Sequence, residues 1–215
     1  MRKLAGEGLA TFILVLLGTG ACVVDAASGG KLGALGVGLV FGLAVFAAAT
    51  ALGPVSGAHM NPAVTLALWR AKRFPVREIA PYVIVQILGA LAGSAILLLV
   101  FGARAGDLGA THPAAGLLAS FTLEFGMTLL LVLAVLRAPA RFGPAAAGII
   151  VALEAIFGGP ATGASMNPAR SLAPALVSGH MDGLWIYMIA PTFGALAASE
   201  MDAALSAARS GRRAP

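Results

Sequence analysis

Apolar runs of membrane-spanning length alternate along the chain with short polar breaks. Crossing the ~30 Å hydrocarbon core of a bilayer takes roughly 20 helical residues. The pattern predicts six spans, at 5–26, 33–52, 79–102, 116–137, 143–159 and 183–206. Each boundary carries about ±3 residues. Two further apolar pieces, 61–70 and 168–178, are only half as long. As helices each would reach about 15 Å, half a membrane. Paired half-length segments in corresponding places point to discontinuous helices around a site at the midplane.

The two halves repeat. Ser56-Gly57-Ala58-His59-Met60-Asn61-Pro62-Ala63 is matched by Thr162-Gly163-Ala164-Ser165-Met166-Asn167-Pro168-Ala169 at an offset of 106. Gln86-Ile87-Leu88-Gly89-Ala90 aligns with Pro191-Thr192-Phe193-Gly194-Ala195 at an offset of 105, and Glu7 with Thr11 matches Glu124 with Thr128. The repeats cover 1–103 and 112–215 of a single 1–215 domain. Each holds three spans, and an odd number inverts the second half, so a two-fold axis in the membrane plane is expected.

Composition narrows the class. Of 215 residues, 59% are hydrophobic and 11% charged, against roughly a quarter charged in soluble domains. The 28 glycines suit membrane helices packed backbone to backbone. A net charge of +5 does not indicate nucleic acid, because the basic residues are scattered, without a basic face. They act as topology signals. With both termini inside, Arg2, Lys3, Arg70, Lys72, Arg73, Arg77, Arg137, Arg141, Arg209, Arg212 and Arg213 fall on the cytoplasmic side, and only Lys31 and Arg104 outside. Arg2 and Lys3 before an apolar run imitate a signal peptide, as Thr19-Gly20-Ala21-Cys22 imitates a lipoprotein box. Glu7 in the basic start and the lack of Leu three before the cysteine favour a retained first helix. One cysteine allows no internal disulfide and no cysteine metal site. No nucleophile–base set, phosphate loop or metal-ligand cluster is visible, so neither enzyme activity nor a cofactor is expected.

A single Asn-Pro-Ala is ordinarily a capped helix start, Asn being a good N-cap and Pro favoured at the first position. Here the triplet occurs twice, after Gly-Ala-x-Met, opening half-length helices in an inverted repeat. Both helix N-termini then point at the membrane centre, each with roughly half a positive charge. Amide donors from Asn61 and Asn167 join them. That field repels cations, whereas a neutral hydroxyl compound can accept hydrogen bonds and pass. The irregular backbone at Gly57, Ala58, His59 and Met60, and at Gly163, Ser165 and Met166, would line the cavity with carbonyls. Arg170, alone at membrane depth, is a functional candidate.

With Ser-Gly-Ala-His-Met-Asn-Pro-Ala-Val-Thr (56–65) and Thr-Gly-Ala-Ser-Met-Asn-Pro-Ala-Arg-Ser (162–171), the chain resembles the aquaporin or major intrinsic protein family along nearly its whole length. The resemblance implies an all-α hourglass fold of six transmembrane and two re-entrant helices stacked through Pro62 and Pro168. It also implies homotetramers in a bilayer with one pore per subunit. It places Phe41, Ala155, Ala164 and Arg170 in a selectivity filter. Water-specific members resemble a filter with His where Ala155 stands. Glycerol facilitators carry two bulky aromatics and an Asp where Ser171 stands. Gly158-Gly159-Pro160 and Leu184-Trp185-Ile186-Tyr187 look most like the nodulin-26-like branch and its bacterial relatives. That branch implies water, glycerol, urea and neutral metalloid hydroxy-acids as solutes. A water-selective channel is the alternative, an ion-coupled transporter a distant one, and a scaffold without transport is disfavoured by the short loops. A multi-pass plasma (inner) membrane location, of prokaryotic type, is expected.

The remaining polar residues are read as follows. By resemblance, Glu7 and Glu124 hold the re-entrant loops, a proton relay being the alternative. Glu154 has no repeat partner and is expected to orient Arg170 or a water behind Ala155, or to touch solute. His59 is read as structural rather than a pH gate. His112 and His180 are expected to be solvated, Cys22 to be a packing residue, and the tail 209–213 to anchor on anionic lipid.

Overall fold

The computed structural model describes residues 1–102 and 105–211, all helix and connecting loop with no strand among them. Arg104, Arg212, Arg213 and the side chain of Arg209 lie outside the described residues, and with them the anchoring role read for the tail. Six long helices are α1 (Arg2–Ala27), α2 (Gly33–Ser56), α4 (Ile79–Phe101), α5 (Leu117–Arg137), α6 (Gly143–Thr162) and α8 (Leu184–Gly211). Two short ones are α3 (Pro62–Arg70) and α7 (Pro168–Ser178). Helices α1, α2, α4, α5 and α6 are each long and apolar enough to cross a membrane. The sixth, α8, is the longest, and its apolar part gives way to Glu200 and Asp202 towards its end.

Burial is inverted relative to a water-soluble domain. Leu99, Leu118 and Phe157 are exposed on the outside, while Glu7, Thr11, Gln86, Glu124 and Thr128 are fully buried. Within lipid every backbone polar group must be satisfied internally, so helices are the available element. The predicted spans end early at two places. Helices α2 and α6 continue to Ser56 and Thr162, past Pro54 and Pro160. Each proline lies in the last turn, and each helix closes on a left-handed glycine, Gly57 or Gly163, whose N–H bonds the carbonyl four residues back.

Packing follows the inverted repeat. Helix α1 lies on α4 as α5 lies on α8, and α3 packs on α8 as α7 packs on α4. A side chain on Gly89 would collide with the Gly8 carbonyl oxygen, and one on Gly194 with that of Phe125. At the centre α2 crosses α6. A Cβ on Gly42 would lie 2.5 Å from the Gly148 oxygen, and one on Gly148 2.7 Å from the Gly42 oxygen. Gly42 and Gly148 are repeat mates, so the pseudo-two-fold axis passes between them. Bare backbone at these crossings brings helix axes close enough for loops 57–61 and 163–167 to meet.

One end of the bundle is charged and cross-linked. Asp202 of α8 bonds Arg73 at 3.1 Å and Arg137 at 2.9 Å, Arg73 also donates to the Leu136 carbonyl, and Arg70 pairs with Glu200. Lys3 and Glu78 are 3.9 Å apart at the same end.

Candidate functional site

The two Asn-Pro-Ala triplets meet in the interior. Asn61 and Asn167 are extended, with each side-chain oxygen accepting the N–H two residues on, from Ala63 at 2.8 Å and Ala169 at 3.0 Å. The prolines occupy the first helical positions, where a missing N–H costs nothing. The amide nitrogens then cross over: Asn61 Nδ2 donates to the Met166 carbonyl and Asn167 Nδ2 to the Met60 carbonyl, both at 2.7 Å. A carboxamide has two N–H donors. One is thus spent fixing the opposite loop, leaving one per asparagine for a solute.

The loops before the asparagines are strained alike. Ala58, Met60, Ala164 and Met166 have φ of 45°, 54°, 41° and 53°, a region costly for residues with a Cβ. Buried carboxylates hold that backbone in place. Glu7 accepts the N–H groups of Met60 at 2.5 Å and His59 at 3.1 Å, and Gln86 Nε2 at 2.8 Å. Glu124 accepts those of Met166 at 2.7 Å and Ser165 at 2.9 Å, and the Thr162 hydroxyl at 2.7 Å. Tyr82 donates to the Ser56 carbonyl and Tyr187 to that of Thr162, both at 2.7 Å. The tyrosines had not been singled out in the sequence, although they share the 105-residue offset of Gly89 and Gly194.

Two cavities run through the chain and touch at one place. The inner one, about 410 Å³, is walled by Gly57 to Asn61, Ala164 to Asn167 and apolar side chains of α2, α5 and α6. The outer one, about 400 Å³, is bordered by Cys22, Asp25, His112 and Gly163. Phe41, Ala155 and Arg170 line both, so they form the junction, and Ala164 sits just on its inner side. Phe41 rests against α1 at Gly18, where any side chain would strike its ring. The Arg170 guanidinium carbon lies 4.9 Å from the Phe41 ring centroid, a favourable cation–π distance. Its Nη1 donates to the Gly109 carbonyl at 2.6 Å.

Several polar residues differ from the reading of the sequence. Glu154 does not bond Arg170: it is buried, neither oxygen has a hydrogen-bond partner among the described residues, and it lines neither cavity. Arg170 instead donates to Gly109, from an outer loop that has no repeat mate and gave no sequence signal, with Cys22 beside the guanidinium. Ser171 faces away from the cavities, bonding Ser165 at 2.5 Å and Thr111 of that outer loop at 2.8 Å. His59 borders the inner cavity, its Nδ1 3.1 Å from the Thr65 hydroxyl and its ring against Phe74 and Tyr82. His112 and His180 are partly exposed to solvent, as expected, and both also stand beside Asp107.

Cys22 packs, half-buried, against the core that includes Leu14 and Phe41, as expected, and it also borders the outer cavity. A mercurial reaching that cavity is therefore expected to slow flux, and Cys22→Ser to abolish that inhibition. Strong block that survives the serine variant would place the reactive atom elsewhere.

The family model "Major intrinsic protein" matches residues 1–201. The chain is 39% identical to Aquaporin NIP1-1 of Zea mays over 203 residues, covering 92% of this chain and 72% of that protein. It is 41% identical to Aquaporin Z of Rhodopseudomonas palustris over 212 residues, covering 90% and 88%. The X-ray structure of the aquaglyceroporin from Plasmodium falciparum superposes with a TM-score of 0.85 at 26% identity, covering 93% of each chain. With its inverted half-helices and paired Asn-Pro-Ala triplets, the chain belongs to the major intrinsic protein family.

Proposed function

We propose that this membrane channel for water and small neutral solutes is a wide-filter facilitator, passing glycerol, urea and metalloid hydroxy-acids while excluding protons and ions. The observation that carries this reading is the junction of Phe41, Ala155 and Arg170, where one wall is a methyl group and a second methyl, Ala164, follows it. Phe41 offers an apolar face to carbon-bound hydrogen. Arg170 and the free amide hydrogens of Asn61 and Asn167 offer donors to hydroxyl oxygens. The half-helix N-termini and the Arg170 charge set the barrier to cations.

A homotetramer in the plasma (inner) membrane with both termini cytoplasmic belongs to the same proposal. Support for the orientation comes from the basic bias, Arg70, Arg73, Arg137 and Lys3 sharing the end at which the chain starts and α8 finishes.

The test is stopped-flow light scattering on proteoliposomes. Inward gradients of glycerol and boric acid run beside an impermeant osmolyte, with Ala155→His alongside. Rapid solute re-swelling that Ala155→His abolishes, with water flow retained, is the expected result. Fast water with every solute excluded by the unmodified channel would make it water-selective instead.

A further inference from the structure

The outer loop that receives Arg170 is held by an unusual arrangement. Gly106, Asp107, Leu108 and Gly109 all have positive φ, at 51°, 47°, 54° and 74°. Four successive left-handed residues, two of them with side chains, persist only where the surroundings over-determine them. Glycine is required at both ends: a Cβ on Gly106 would lie 2.8 Å from the Ala26 Cβ, and one on Gly109 2.7 Å from the Thr19 Cβ. On its inner side the turn is fixed by Leu108, fully buried against Val23 and Leu97. On its outer side lies Asp107. One carboxylate oxygen is 3.2 Å from His112 Nε2 and the other 3.5 Å from His180 Nε2. The two imidazoles stand edge to face, centroids 6.0 Å apart. Among the described residues His112 Nε2 has no hydrogen-bond partner, so its approach to Asp107 is a close polar contact and not a hydrogen bond. His180 belongs to the separate loop joining α7 to α8. A single carboxylate therefore spans two loops, two residues from the carbonyl that holds the Arg170 guanidinium.

We propose that Asp107, clasped between His112 and His180, is a positioning residue for the pore constriction, fixing the turn 106–109 so that the Gly109 carbonyl sets where Arg170 stands. Arg170 Nε has no partner among the described residues, so the Gly109 carbonyl, with Cys22 beside the guanidinium, sets how far it stands from Phe41 and Ala155. Releasing the turn frees that carbonyl and widens the junction. Bulky neutral solutes gain more from this than water does. The inference rests on the reading of that junction as the size filter.

The experiment compares Asp107→Asn, Asp107→Glu and His180→Ala with the unmodified protein in proteoliposomes, reading the ratio of glycerol to water permeability. A ratio is independent of how many channels insert, so a loss of folding alone does not move it. Coupling along a packed network is commonly worth enough to change a rate about twofold or more. The expected result is a ratio raised by at least about that factor in Asp107→Asn and His180→Ala, and largely restored in Asp107→Glu. If Asp107→Asn does not assemble, His180→Ala decides, being on the other loop. A ratio unchanged or lowered in either assembled variant overturns the proposal, as does Asp107→Glu behaving like Asp107→Asn. An unmodified channel that excludes glycerol would refute the wide-filter reading alone. The clasp is then read by whether glycerol flux appears in Asp107→Asn.

Discussion

Replacing Glu124 by alanine is expected to destroy the channel rather than slow it. Its carboxylate is fully buried and accepts three hydrogen bonds, from the Ser165 and Met166 N–H groups and the Thr162 hydroxyl. Each abandoned buried donor costs about 1–3 kcal/mol, so the three together cost about 3–9 kcal/mol. The backbone they restrain is already strained at Ala164 and Met166. Without the restraint, Met166 no longer presents its carbonyl to Asn61. Glu124→Gln should be intermediate, because its NH2 must face one of those N–H groups. Exposed Thr122, whose hydroxyl donates to the Leu118 carbonyl in its own helix, supplies the neutral control as Thr122→Ala. Yield of monodisperse protein and its Tm in detergent are the readouts. A Glu124→Ala protein melting with the unmodified one would show that the re-entrant loop is held by something else.

The second large effect concerns charge. Arg170→Met keeps most of the side-chain length while removing the guanidinium from the junction. A unit charge about 4 Å from a passing cation, at an effective dielectric constant of about 20, contributes about 4 kcal/mol of repulsion. Losing it should raise proton or small-cation leak by up to about a thousandfold. What barrier remains comes from the N-termini of α3 and α7 with Asn61 and Asn167, which the substitution does not touch. A pH-sensitive dye trapped in proteoliposomes reads the leak, with water permeability followed in the same vesicles. Proton leak within about tenfold of the unmodified channel would assign nearly the whole barrier to the half-helix dipoles.

Both variants act on parts of the molecule that differ in how visible they are in the sequence. Glu124 was visible because Glu7 repeats it at the same place in the other half. Arg170 was visible because a lone charge in an apolar stretch is conspicuous. Tyr82 and Tyr187 carry the same repeat offset, yet a tyrosine in a membrane span is too ordinary to stand out. Glu154 was conspicuous for the same reason as Arg170, but conspicuousness says nothing of direction. The pitch of α6 turns it away from both cavities while Ala155, one residue on, faces the junction.

The sequence by itself determined the element list, and it predicts the inversion. The bilayer admits only segments that satisfy their own backbone, so apolar length counts the helices, and an odd number per repeat inverts the second half. Asparagine and proline are local signals, so both half-helix starts were legible to within a residue. Only the tertiary structure decided the rest. The crossed Asn61–Met166 and Asn167–Met60 bonds join residues more than a hundred positions apart. The loop carrying Asp107, Gly109 and Thr111 has no counterpart in the other half. Its left-handed turn uses two glycines and an aspartate, which tolerate positive φ, but Leu108 is held there only by burial against Val23 and Leu97. The approach of His112 and His180 to Asp107 follows from that loop, so no reading of spacing or periodicity could have reached it.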